Sequence, residues 1–335
     1  MPALHEQHAA ERRAGESRST APVFVVGCPR SGTTYLYHVL LSAGNFAIYR
    51  AESEVFHLLE PRFGDLGRAA NKKRLLAEWF RSRLFTATGL ERQLLEDKIM
   101  RECANAGDFL RIVMEETARH QGVRRWADCT PDHALYLPRI KATIPNALVI
   151  HIIRDGRDVA LSMEKQGWPK QLPWDRVRRA LAGAVYWEWM TQRGRRDGAK
   201  LDADYIEVRY EELVEQPRKV LKELSGFVGQ ELDYDEIQRV AIGSVGRPNT
   251  SFKEEGGGFS PVGRWKKAGA GEVAQLEQLV GPYLRKLGYE CLSSEPTVKA
   301  LAFRRQYRAY FESKFLLRAK TPLGRLLVTR DLSRV

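Results

Sequence analysis

Gly27, Arg30, Gly32, Thr33 and Thr34 form the strongest chemical signal in the chain, a short loop suited to holding a phosphate. Its glycines let the backbone close on an anion, while the arginine and the hydroxyls supply charge and donors. Gly27, Gly32 and Thr34 stand where a GxxxxGK[ST] loop has its glycines and hydroxyl, but Thr33 fills the lysine position. A nucleotide-triphosphate loop needs that lysine to reach the β- and γ-phosphates, so the charge here must come from Arg30. Arg154, with Ser162 eight positions later, follows a second apolar run, and a guanidinium fork can bind two phosphate oxygens at once. A general base would be a carboxylate or a histidine, and Glu52 and Glu54 lie in the segment after the first helix. His38, His57 and His133 are further candidates, though a lone histidine is more often a surface or core residue.

Two strand-to-helix units must position these groups. Val23 to Val26 read as a buried strand, and Thr33, Leu36, Val39 and Leu40 as the helix that follows, which places the loop at a helix N-terminus. Leu148, Val149, Ile150, Ile152 and Ile153 form a second strand that ends at Arg154, Asp155 and Gly156 before another helix. Ligands of open α/β sheets lie beyond the carboxyl ends of the strands, so both motifs reach one edge. A strand ending in Asp155 also suits the magnesium-binding segment of a P-loop kinase using ATP, but the absent lysine and the adjacent Arg154 argue against it.

The strand leading into PRSGTT and the stretch NALVIHIIRDGRDVALS, 146–162, together resemble the nucleotide motifs of sulfotransferases that use 3′-phosphoadenosine 5′-phosphosulfate (PAPS). The resemblance runs from about Ala21 to Tyr289 and is to bacterial sulfotransferases, similar to the tyrosylprotein and heparan-type enzymes with a glutamate base. It implies a P-loop-like three-layer α/β/α fold with a central parallel sheet and helical insertions that line the acceptor cleft. On this resemblance Arg30, Ser31, Gly32, Thr33 and Thr34 hold the 5′-phosphosulfate, and Arg154 and Ser162 hold the 3′-phosphate. Tyr210, in the segment 206–229, would lie near the nucleotide. SPVGRWKKAG, 260–269, is similar to a late loop that closes over the 3′-phosphate and adenine, with Arg264 and then Lys266 as its cations and Trp265 as a packing residue.

In NFAIYRAESEVFHLL, 45–59, the catalytic glutamate of such enzymes falls at Glu52, with Glu54 its near neighbour. One departure stands out in VRRWADCTPDH, 123–133: Cys129 replaces a lysine that helps stabilise the leaving group in relatives, and Thr130 still offers a hydroxyl. The implied reaction is direct in-line transfer to a hydroxyl or amine acceptor, with Arg30 and Glu52 as its working groups and no metal. Cys129 keeps a second reading open, a catalytically weak binder of PAPS or adenosine phosphates.

The 335 residues suit one large α/β domain, expected over 21–290, with a disordered N-terminal tail over 1–20 and a basic helical extension over 291–335. Cys28, Cys103, Cys129 and Cys291 show no paired or metal-ligand spacing, no apolar run is long enough for a membrane span, and the first twenty residues lack a signal-peptide stretch. These features point to a cytoplasmic, bacterial protein. The net charge of +12 is concentrated near the end, where 297–335 carries ten Lys/Arg against two acidic residues. That helical extension could dock on the domain, contact an anionic membrane as a peripheral surface, or meet a second copy in a homodimer. No nucleic-acid motif accompanies the charge. The acceptor class stays open among small molecules, carbohydrates and lipids.

Overall fold

Four apolar residues in a row make β1, Val23–Val26, a strand buried on both faces. Side chains alternate along a strand, so Phe24 and Val26 enter one core while Val23 and Val25 enter the other. The loop 27–32 leads straight into α1, Thr33–Ser42, whose Leu36, Val39 and Leu40 pack beside Val23 and Val25. The computed structural model describes residues 18–172, 175, 179–247, 261–292, 295–320 and 332, without the side chains of 319 and 320.

Between β1 and the second strand lie α2 (Ala69–Trp79), α3 (Arg92–Glu102) and α4 (Ala106–His120). Asn105 caps α4 by accepting from the Asp108 N–H, and Phe109, Leu110, Ile112 and Val113 fill its buried side. β2, Ala127–Asp128, and β3, Leu148–Ile153, flank β1. Next come α5 (Gly156–Lys165), α6 (Arg179–Gly198) and β4 (Tyr205–Arg209). The chain then adds α7 (Pro217–Val228), α8 (Ala270–Lys286) and α9 (Val298–Lys320), with shorter helical turns between elements.

The sheet order is β2-β1-β3-β4 and every pairing is parallel, with Val23 opposite both Ala127 and Leu148, and Val149 opposite Tyr205. Parallel strands put all four carboxyl ends on one edge. Gly27, Cys129, Arg154 and Tyr210 each follow a strand directly, so the fold alone brings four distant stretches of sequence together. α1 and α7 cover one face of the sheet, while α4, α5, α6, α8 and α9 share the core on the other, giving the expected three-layer α/β/α architecture.

The N-terminal boundary needs correction. Positions 1–17 lie outside the described residues, as do Pro173, Ser260, Pro322 and Gly324, but Arg18, Ser19 and Thr20 are helical. Arg18 donates to the carbonyls of Phe227 and Ala203, each at 2.8 Å, and Arg125 donates to the carbonyls of Arg18 and Ala21. These bonds fix the end of the stretch expected to be disordered over 1–20.

The basic extension docks through α9. Tyr307, Phe311 and Phe315 are buried, and the Trp189 indole donates to Glu312 at 2.8 Å. Arg304 donates to the buried Glu188 at 2.7 Å, so charge as well as area fixes α9 to α6. Among the described residues no helix is long and apolar enough to cross a membrane.

Candidate active site

Two glycines of the loop are there for space. A Cβ on Gly32, where φ is +98°, would lie 2.3 Å from the Tyr210 ring, and one on Gly27 would lie 2.5 Å from the Ile152 carbonyl oxygen. Gly32 caps α1 without any side-chain hydrogen bond, so the first N–H groups of the helix are left for an anion. Ser31 is fully buried and its Oγ has no hydrogen-bond partner among the described residues. Arg30 has φ of 74°, a left-handed conformation that costs a non-glycine residue about 1–2 kcal/mol.

Around this loop stand three guanidinium groups. Arg30 Nε donates to Ser162 Oγ at 3.0 Å, and Arg154 Nη1 donates to the Arg30 carbonyl at 3.2 Å. Arg154 also donates to the Pro261 carbonyl at 2.6 Å, and its guanidinium lies 4.5 Å from the centre of the Tyr210 ring. Burial and the nearby charges of Arg154 and Arg264 push the Arg30 pKa down, because each cation disfavours the next. A cavity of about 310 Å³ opens here, lined by Arg30, Gly32, Thr33, Thr34, Arg154 and Tyr210, with Ser244 beside them.

The late loop is pinned by Asp158. Its carboxylate accepts from the Gly263 N–H at 3.1 Å and the Trp265 N–H at 2.8 Å, while pairing with Arg154 at 3.3 Å. Trp265 packs under the Arg157 guanidinium, 3.5 Å from the ring centre, and Arg157 is held by Asp155 and Glu277. Arg264 is thereby brought within electrostatic reach of Arg30 and Tyr210. Lys266 is exposed, with Nζ 5.8 Å from the Trp265 ring centre, and it is not among the described residues lining the cleft.

On the other side of the loop, Glu52 and Glu54 share a cavity of about 330 Å³ with Pro29. Glu52 is reached by solvent inside this cleft, yet protein surrounds it. Loss of hydration, then the Glu54 and Asp132 carboxylates, push its pKa up to about 7. Glu54 is buried, adopts φ of 60° and pairs with His57 Nε2 at 2.6 Å. Burial disfavours the charged ring, but Glu54 outweighs it and lifts the His57 pKa to about 9. The following segment Val55–Leu59 is a π-helical turn, a geometry that recurs at functional sites.

The other two candidate histidines, His133 and His38, have structural partners. His133 is fully buried, with Nδ1 2.8 Å from Asp128 and Nε2 accepting from the Phe56 N–H. His38 Nδ1 accepts from the Ser244 N–H at 2.9 Å, and burial with the charge of Arg50 lowers its pKa. Thr130 Oγ1 accepts from the Ser53 N–H and so ties the Glu52–Glu54 segment to β2.

Residues 22–235, well over half of the chain, match the sulfotransferase family. The chain belongs to the sulfotransferase family. Solved structures similar to it include the sulfotransferase domain from the curacin biosynthetic pathway, 18% identical with a TM-score of 0.49, covering 81% of this chain and 99% of that one. The sulfotransferase domain of the Synechococcus PCC 7002 olefin synthase is 17% identical with a TM-score of 0.46, covering 87% of this chain and 94% of that one. Sulfotransferase STF9 from Mycobacterium avium is 16% identical with a TM-score of 0.45, covering 82% of this chain and 78% of that one. No curated protein matches.

In this sulfotransferase the residue directly after β2, Cys129, is uncharged. Burial, with Glu52 and Asp128 nearby, pushes the Cys129 thiol well up, and Thr33 hydrogen-bonds it. Arg50 and Arg247 line the same cavity as Cys129, Thr34 and Glu52, so positive charge enters this corner from other positions.

Sequence reasoning misses several of these partners. Asp158 follows Arg154 by four positions and His57 follows Glu54 by three, spacings that alone signal opposite-charge pairs. Ser244, Arg50 and Arg247 give no such sign, because only tertiary folding brings them to the loop.

Proposed function

We propose that this sulfotransferase moves a sulfuryl group from PAPS to a hydroxyl or amine acceptor by direct in-line transfer. The observation that carries the reading is the crowding of Arg30, Arg154 and Arg264 around a glycine loop, with Glu52 on the loop's opposite side. Three cations that repel one another need a polyanion, and a 3′-phosphate plus a 5′-phosphosulfate is one. Arg154, Arg264 and Ser162 would hold the 3′-phosphate, and the loop amides with Arg30 the 5′-phosphosulfate. PAPS supplies an activated sulfuryl group.

Glu52 takes the proton of the acceptor as the new oxygen–sulfur bond forms, a task suited to a carboxylate whose pKa is about 7. Arg30 and the α1 N-terminal amides stabilise negative charge on the departing phosphate oxygen as the old bond breaks. The neutral Cys129 favours a second reading, slow turnover or nucleotide binding alone.

Thermal unfolding with 3′,5′-adenosine bisphosphate, compared with ATP plus magnesium, tests the donor. A ligand at a hundred times its Kd adds about 2.7 kcal/mol of stability, so the bisphosphate is expected to raise Tm and ATP to do so less. Greater stabilisation by ATP overturns the reading. A screen of acceptors with PAPS then separates enzyme from silent binder.

Arg154→Ala is expected to weaken bisphosphate binding about tenfold to a hundredfold, since a charge-assisted hydrogen bond contributes roughly 1.5–3 kcal/mol. Calorimetric titration measures it. Unchanged affinity in a folded variant removes Arg154 from the phosphate site.

A further inference from the structure

The cavity containing Glu52 has a wall that the transfer reaction does not explain. Trp168, Trp189, Tyr310 and Phe311 line it, and Trp168 is 49% exposed, an unusual placement for so large an apolar side chain. Three cations line the same space: Lys170, just after Trp168, and Lys314 and Arg318, one helical turn apart on α9. Among the described residues none of the three has an ion-pair partner and the buried Arg318 Nε has no hydrogen bond, while Lys314 Nζ lies 5.6 Å from the Tyr310 ring centre. Elsewhere on α9, Arg304 and Arg308 both pair with Glu188. Burial, Arg318 and Lys170 all lower the Lys314 pKa, and the opposing pull of Asp132 is the smallest influence on it. Asp132 itself accepts from the Tyr186 hydroxyl at 3.2 Å.

We propose that the acceptor is an anionic amphiphile, a hydroxyl-bearing small molecule with an apolar or aromatic body and an acidic group received by Lys170, Lys314 and Arg318. The proposal rests on the reading of the Glu52 cavity as the acceptor site. Its chemistry is that of a mixed pocket: aromatic faces bind the body, and the crowded cations, which share the cavity with Glu52, Glu54 and Asp132, gain a direct ion-pair partner that they lack among the described residues. A carboxylate, a phosphate and a sulfate share this recognition.

The test uses ω-(4-hydroxyphenyl)alkanoates of graded chain length, each beside its uncharged primary amide, titrated into the full chain saturated with 3′,5′-adenosine bisphosphate. Tryptophan fluorescence reports binding, because Trp168 and Trp189 line the cavity. At one or more lengths the acid is expected to bind at least tenfold tighter than its amide. Lys314→Met with Arg318→Met, and separately Lys170→Met on a different element, should each remove most of that preference. Bisphosphate affinity, measured in the same samples, is the control for folding and for the donor site. Acids that bind no better than amides at every length, or bind not at all, overturn the proposal, as does a preference that survives all the substitutions. Selective binding to anionic-lipid vesicles, with acids and amides alike, also overturns it. Failure of the wild-type chain to bind the bisphosphate counts instead against the PAPS reading.

Discussion

Glu52→Gln is expected to lower kcat by about 10²–10⁴-fold while leaving donor affinity nearly unchanged, the usual loss when a positioned general base is neutralised. Glutamine keeps the shape and removes only the proton acceptor. The wild-type pH profile should carry a matching signature. A base must be ionised to act, and burial with the Glu54 and Asp132 charges raises the Glu52 pKa to about 7, so activity should rise with pH through about 7. That rising limb should vanish in the glutamine variant. Glu54→Gln provides the contrast, because Glu54 is buried against His57 at 2.6 Å: a rising limb should remain but move to lower pH, since one of the charges that raise the Glu52 pKa is gone. Single-turnover rates with saturating PAPS measure both. A glutamine variant as fast as wild type would remove Glu52 from the chemistry.

Arg30→Ala is expected to lower kcat by about 10²–10³-fold, the range seen when one preorganised donor to a developing oxyanion is deleted. Bisphosphate binding should fall less, since Arg154 and Arg264 remain. Backbone strain gives an independent control. Arg30 sits at φ of 74°, where glycine is at ease, so Arg30→Gly should lose the same activity while relieving about 1 kcal/mol of strain. If both variants lose turnover and the glycine chain melts no lower than wild type, the guanidinium and not the turn carries the effect. Retention of kcat in either variant sinks the assignment.

The strand-end loops are legible in the sequence because their parts are local. A buried parallel strand reads as an unbroken apolar run, and Val23 to Val26 and Leu148 to Ile153 each hand over directly to the residues at the site. Parallel pairing then does the assembly, which is why Arg30, Arg154 and Tyr210 converge although they lie far apart in the chain. Lys266 shows the limit of this reasoning: it neighbours Arg264 in sequence, yet the short 3₁₀ turn of Arg264–Lys267 leaves it exposed over Trp265. The difference between Glu52 and Glu54 is likewise out of reach, since it depends on His57 and on a left-handed backbone at Glu54. The cavity wall on α9 could not be read either. Composition marks the helix as basic and aromatic, but its docking on α6 decides which side chains line the cleft.

The family match ends at residue 235, whereas α9 spans Val298–Lys320 and helps enclose the space in front of Glu52. The space in front of Glu52 is thus walled partly from inside the matched stretch, by Trp168 and Trp189, and partly from beyond it, by Tyr310 and Phe311 of α9. An alignment confined to 22–235 therefore compares such chains without the α9 side chains that wall this space, although α9 holds no strand end.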